Sequence, residues 1–87
     1  MTWPVELASS SFRHGLDEDD IRHAFTNSMA IYKIEREGPS RFLHLGPDRA
    51  GNLLELVVVE IDTREWLVIH AMKMRPKFES MLRGAND

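Results

Sequence analysis

Two long apolar runs, Leu53 to Ile61 and Trp66 to Arg75, stand with only Asp62-Thr63-Arg64-Glu65 between them. Both are rich in leucine and β-branched residues, which suit a pleated, half-buried surface, and the four polar residues between them suit a turn. This pattern commits the middle of the chain to an antiparallel hairpin. The first run is nearly all apolar and is expected inside a sheet rather than at its edge. A tight turn would set Ile61 opposite Trp66, and pairing then follows by counting: Val59 with Val68, Val57 with His70, Glu55 with Met72. Alternation places Leu54, Leu56, Val58, Leu67, Ile69 and Ala71 on one smooth face suited to covering helices. Glu55, Val57, Val59, Trp66, Val68, His70 and Met72 share a mixed face, with Glu55 diagonal to His70; a one-residue bulge would overturn the assignment.

Upstream, the signals are helical. Asp17 suits a cap, Asp20 takes the capping-box position three residues on, and Leu16 with Ile21 makes a hydrophobic staple. Ile21, Ala24 and Phe25 fall on one stripe, so a helix is expected from about Glu18 to Asn27. The acidic block Asp17 to Asp20 complements the helix dipole in that first turn. Before it, Pro4 suits a first helical position, and Val5, Leu7, Ala8 and Phe12 supply one face of another helix running to about Arg13. His14 then reads as a helix-end residue before Gly15, which can take a left-handed cap. Ala30 to Ile34 and Arg41 to Leu45 read as strands, separated by a loop with Gly38-Pro39. Pro76 ends the strand that begins at Trp66, and Lys77 to Arg83 reads as a short helix with Phe78, Met81 and Leu82 on one side. The expected architecture is α+β in one domain, residues 1–87: two N-terminal helices, an antiparallel four-stranded sheet and a short C-terminal helix.

A chain of 87 residues buries a single modest core. It has no cysteine, and its four histidines show no metal-ligand spacing, so neither a metal nor another cofactor is expected. Met1-Thr2-Trp3-Pro4 lacks the basic-then-apolar pattern of a leader, and no run approaches the roughly 18 apolar residues of a spanning helix. A soluble cytoplasmic protein with no membrane contact is the expectation. The net charge of −3 disfavours a broad grip on phosphate backbones. Cations nevertheless gather near the C-terminal end, at Lys73, Arg75, Lys77 and Arg83.

Several words of the sequence fall in a recognisable order: Pro4 set ten residues before His14-Gly15, then Leu16, Ala24-Phe25, Arg41 followed by Leu45-Gly46, the run Leu54 to Val59, and Val68-Ile69-His70-Ala71. In these the chain resembles the BrnT-type toxins of bacterial toxin–antitoxin pairs, small members of the RelE-like ribonuclease group, over Pro4 to about Arg75. The resemblance implies a RelE-like fold and an endoribonuclease that arrests growth by cutting RNA. It also implies neutralisation by a cognate antitoxin, often a ribbon-helix-helix protein. The chain departs from the family pattern in four respects. Trp3 stands where an aspartate of the usual first strand would be, and that strand is expected to be mostly missing. Glu6 replaces a usual lysine, His70-Ala71-Met72 replaces serine-alanine-arginine, and the overall charge is acidic where the family is basic.

Metal-free RNA cleavage needs a group to take the 2′-hydroxyl proton, a cation for the charge developing on phosphorus, and an acid for the leaving 5′-oxygen. An imidazole titrates near neutrality in water, so His70 is the candidate base or acid, with Glu55 to orient it. Lys73 and Arg75 supply charge, and Arg41 matches the family's strand arginine as a phosphate contact. Trp66 and Tyr32 are candidates for stacking on a base. A catalytically silent binding module, which keeps the fold and the antitoxin-binding or self-associating surface, is the alternative; the acidic balance and Met72 favour it. In either case the mixed face is expected to meet an antitoxin or a second copy as a homodimer, because its apolar residues make a large patch.

Overall fold

The central hairpin forms, and the rest of the chain is arranged around it. The computed structural model describes residues 5–62 and 64–85. In order these make β1 (Val5–Leu7), a 3-10 turn (Ser9–Phe12), α1 (Glu18–Thr26), β2 (Ala30–Ile34), β3 (Arg41–Pro47), β4 (Leu53–Asp62) and β5 (Glu65–Lys73); a second 3-10 turn (Pro76–Phe78) leads into α2 (Glu79–Ala85). Trp3, Pro4 and Thr63, which entered the sequence reading, lie outside the described residues. The sheet has five strands in the order β1-β5-β4-β3-β2, with β1 parallel to β5 and the other pairs antiparallel.

Two features of the expected architecture are overturned: the pair of N-terminal helices and the purely antiparallel four-stranded sheet. Val5 to Leu7 is a strand, paired Val5 to Trp66 and Leu7 to Val68. Its burial alternates, Val5 inside and Glu6 exposed, which is a period of two rather than 3.6. The edge of β5 offers backbone partners that a helix there would leave unmet. The serines that follow turn their hydroxyls onto backbone carbonyls, Ser10 to Ile69 at 2.6 Å and Ser11 to Ala8 at 2.7 Å. This competition with helical bonding is characteristic of serine. Among the described residues, α1 is the one α-helix ahead of β2.

The start of α1 follows its sequence signals with one change. The Asp17 carboxylate accepts from the Asp20 backbone N–H at 2.8 Å. The Asp20 carboxylate does not complete a box; it accepts from Arg49 instead, from Nε at 2.9 Å and from the backbone N–H at 3.1 Å. Arg49 also reaches Asp17 at 3.0 Å, tying the β3–β4 loop to the helix start, and its guanidinium holds the Asp20 carboxyl below the usual value. Ile21 and Ala24 are fully buried against Leu54, Leu56, Val58, Val68 and Ala71. Burial of a large aliphatic side chain is worth about 1.5–3 kcal/mol, so this cluster is the main stabilising core.

The hairpin register agrees with counting for Glu55 opposite Met72 and Val57 opposite His70, then shifts. Val58 pairs with Val68, which leaves Ile69 as an extra residue, and a second shift near the turn puts Glu60 rather than Ile61 opposite Trp66. The bulge exchanges faces: Val68 and Trp66 join the α1 side, whereas Leu67, opposite Val59, moves to the other. That second face is partly covered. Phe78, Met81 and Leu82 pack over Ala30, Leu43 and Leu45, with Tyr32 and Ile34 beside them.

Gly46 and His44 fit α1 onto β3. A Cβ on Gly46 would lie 2.6 Å from the Ala24 carbonyl oxygen, so the helix end can approach the strand only because that position is glycine. His44 is buried, stacks on Phe25 with ring centroids 5.3 Å apart, and meets the Ser28 hydroxyl through Nδ1 at 2.9 Å. Burial pushes its pKa down from 6.5 to about 4.

We expect Gly46→Ala to destabilise the fold by about 1–3 kcal/mol, read as a lower denaturation midpoint, because helix backbone rather than a flexible side chain must yield. The folded pKa of His44 lies below its unfolded value of 6.5, so its contribution is intact above that pH and is lost as the pH falls towards about 4. The full loss is roughly 3 kcal/mol. Thermal melts from pH 7 to pH 4.5 should show a falling Tm that flattens in His44→Gln.

Candidate active site

Glu55 points from β4 onto the face that α2 partly covers, and it is 1% exposed. A buried carboxylate needs partners for its lone pairs. Arg75 provides most of them: its backbone N–H donates to Oε2 at 3.0 Å, Nε donates to Oε1 at 3.0 Å, and a terminal guanidinium nitrogen donates to Oε1 at 2.7 Å. Pro76 explains why Arg75 is so placed. A residue before proline is driven to extended backbone, and Arg75 has φ −76° and ψ 147°. Its guanidinium also lies 5.5 Å from the Phe78 ring centroid. Burial by itself raises the Glu55 pKa, but the Arg75 hydrogen bonds outweigh it and the net shift is downward, keeping the carboxylate ionised.

His70 completes the cluster. It stands opposite Val57 on β5, its side chain 28% exposed, with Nε2 3.1 Å from Glu55 Oε1. An ionised carboxylate only accepts, so in the neutral ring Nε2 carries the proton and Nδ1 is left with the lone pair. The His14 ring meets the His70 ring edge-on, with centroids 5.5 Å apart and planes at 78°. Beside the cluster is a cavity of about 460 Å³ with Glu55, His70 and Arg75 on its polar side and Tyr32, Leu43 and Phe78 on its apolar side.

Of the residues singled out from sequence, Glu55, His70 and Arg75 are brought into direct contact. Arg41 lies on the same face, opposite Val59, one same-face step along the sheet from the row Leu43, Val57 and His70. Its Nε is buried and has no hydrogen-bond partner among the described residues. Lys73 is not part of the group: it pairs with Leu54 and shares the face covered by α1. Trp66 is also on that side, edge-on to Phe42 with ring centroids 5.7 Å apart. Tyr32 donates its hydroxyl to the Met81 carbonyl and so fastens α2. Neither aromatic is a free stacking platform. His14 was not legible as a site residue, because its contact with His70 spans 56 residues and depends on the bulge at Ile69.

Among the described residues, no group of three or more His, Asp or Glu is placed to hold a metal ion, and no helix is long and apolar enough to cross a membrane.

Glu55→Gln keeps the shape and removes the charge. It should lower stability by about 1–2 kcal/mol, the smaller end applying because the Arg75 side chain is 47% exposed and screened by solvent. Hydrogen exchange should show α2 losing protection first. Because the folded pKa of Glu55 is depressed below 4.5, this stabilisation is present above that pH and is lost as the pH falls further. Comparison with models of known families, with curated proteins and with solved structures finds no match for this chain.

Proposed function

We propose that the chain is a metal-independent endoribonuclease, the toxin of a toxin–antitoxin pair. The observation that carries this reading is the dyad of an ionised, buried Glu55 and a partly exposed His70 at the rim of an open cavity. A carboxylate that fixes the tautomer of an imidazole is the arrangement used to make histidine an effective general base. In this reading His70 takes the proton of the 2′-hydroxyl. Arg41, on the same sheet face and with a nitrogen still to be satisfied, carries the charge that develops on the phosphate oxygens. Arg75 acts through Glu55 as a positioning residue. The order of sequence words shared with BrnT-type toxins points to the same chemistry, and a cognate antitoxin, ribbon-helix-helix in type, would cover this face.

One observation favours the alternative, a silent binding module. The charge of Arg75 is matched by Glu55, and Lys73 faces the other way, so of the cations named for the site only Arg41 is left for a phosphate on this face, with Lys33 beside the cavity. The two readings separate on induced expression in a bacterial host. An active toxin should arrest growth with RNA fragmentation, and Arg41→Ala and His70→Ala should each cut the cleavage rate by about 100-fold or more while remaining soluble. Normal growth and intact RNA at high wild-type expression would move the assignment to the binding module.

A further inference from the structure

A single imidazole supplies one of the two proton transfers that phosphodiester cleavage requires. We propose that His14 supplies the other, as the general acid for the leaving 5′-oxygen; this rests on the ribonuclease reading above. The fold builds the juxtaposition from three separate features. The extra residue Ile69 in β5 turns a carbonyl towards the sheet edge, where the Ser10 hydroxyl donates to it at 2.6 Å. The Ala8 N–H donates to the Val68 carbonyl at 2.9 Å, so the 3-10 turn is held against the bulge at two points. The left-handed Gly15, with φ +83°, closes the segment by donating its N–H to the Phe12 carbonyl at 3.1 Å. Between these anchors His14 is set against the His70 ring. Bulges beside active sites commonly re-aim side chains in this way.

The two rings are unlike in their restraint. His70 is held by Glu55, whereas His14 is exposed on a turn, so in this proposal His14 is the ring that moves aside to admit a phosphate between the two. The step then balances. The 2′-oxygen bonds to phosphorus as its proton passes to Nδ1 of His70. The bond from phosphorus to the 5′-oxygen breaks as a proton from the His14 imidazolium goes to that oxygen. The products are a 2′,3′-cyclic phosphate and a 5′-hydroxyl, and solvent exchange resets both histidines.

The test uses purified full-length protein and an RNA that the wild type cuts, made again with sulfur in place of the bridging 5′-oxygen at the cleaved bond. A thiolate leaves without needing a proton. His14→Ala should cut the normal RNA about 100-fold more slowly and recover to near wild-type rate on the sulfur substrate, whereas His70→Ala should stay slow on both. Wild-type speed of His14→Ala on normal RNA, or an equal defect on both substrates, would overturn the role of His14 and leave the ribonuclease reading standing. A wild type that cuts no RNA would remove that reading, and this role with it.

Discussion

The carboxylate of Glu55 is the point on which one whole face of the molecule depends. It is sealed in the sheet at 1% exposure, an environment that disfavours its charge, and it is tolerated there because Arg75 and His70 satisfy its oxygens. In return it fixes where the chain goes after β5. The backbone of Arg75 is bonded to it, Pro76 follows at once, and the turn delivers Phe78, Met81 and Leu82 onto Leu43 and Leu45. Without that anchor the short α2 would be held by its modest apolar face and the Tyr32 hydroxyl bond to Met81, too little for a seven-residue helix. One interaction therefore builds the small second core, shapes the cavity beside it and orients an imidazole at the cavity rim.

The bulge at Ile69 has a comparable reach on the other side of the site. It divides β5 into two halves with different facing rules, keeping His70 on the cavity side while turning Val68 into the main core under α1. Its carbonyl also receives Ser10, so the edge of the sheet beyond the three-residue β1 is closed by a 3-10 turn instead of being left open. Structure and chemistry are coupled here, because the irregularity that serves packing also sets His14 against His70. Gly46 plays a simpler part in the same economy of space, letting the end of α1 reach β3 over Phe25 and His44.

Much of this arrangement was legible along the chain, because it depends on local periodicity and on short-range chemistry. The alternating and apolar runs specify β2 to β5, the spacing of Ile21, Ala24 and Phe25 specifies α1, and Pro76 followed by Phe78, Met81 and Leu82 specifies the terminal helix. Counting from the turn also places Glu55 near His70, since both lie beyond the bulge from the turn and the two register shifts cancel there. What only the tertiary structure decided depends on partners distant in sequence. Val5 to Leu7 has an ambiguous pattern that the open edge of β5 resolves into a strand. The faces of Trp66, Leu67 and Val68 turn on a bulge of one residue, which no periodicity announces. Arg75 and Lys73 look equivalent as cations at a strand exit, and alternation alone would put both on one face; instead β5 ends at Lys73, which stays on the face covered by α1, and the residue before Pro76 turns its backbone and guanidinium onto Glu55. The contact of His14 with His70 exists only once all of these are in place, because a side-chain pair so far apart in sequence is set by packing geometry and not by any local preference of the chain.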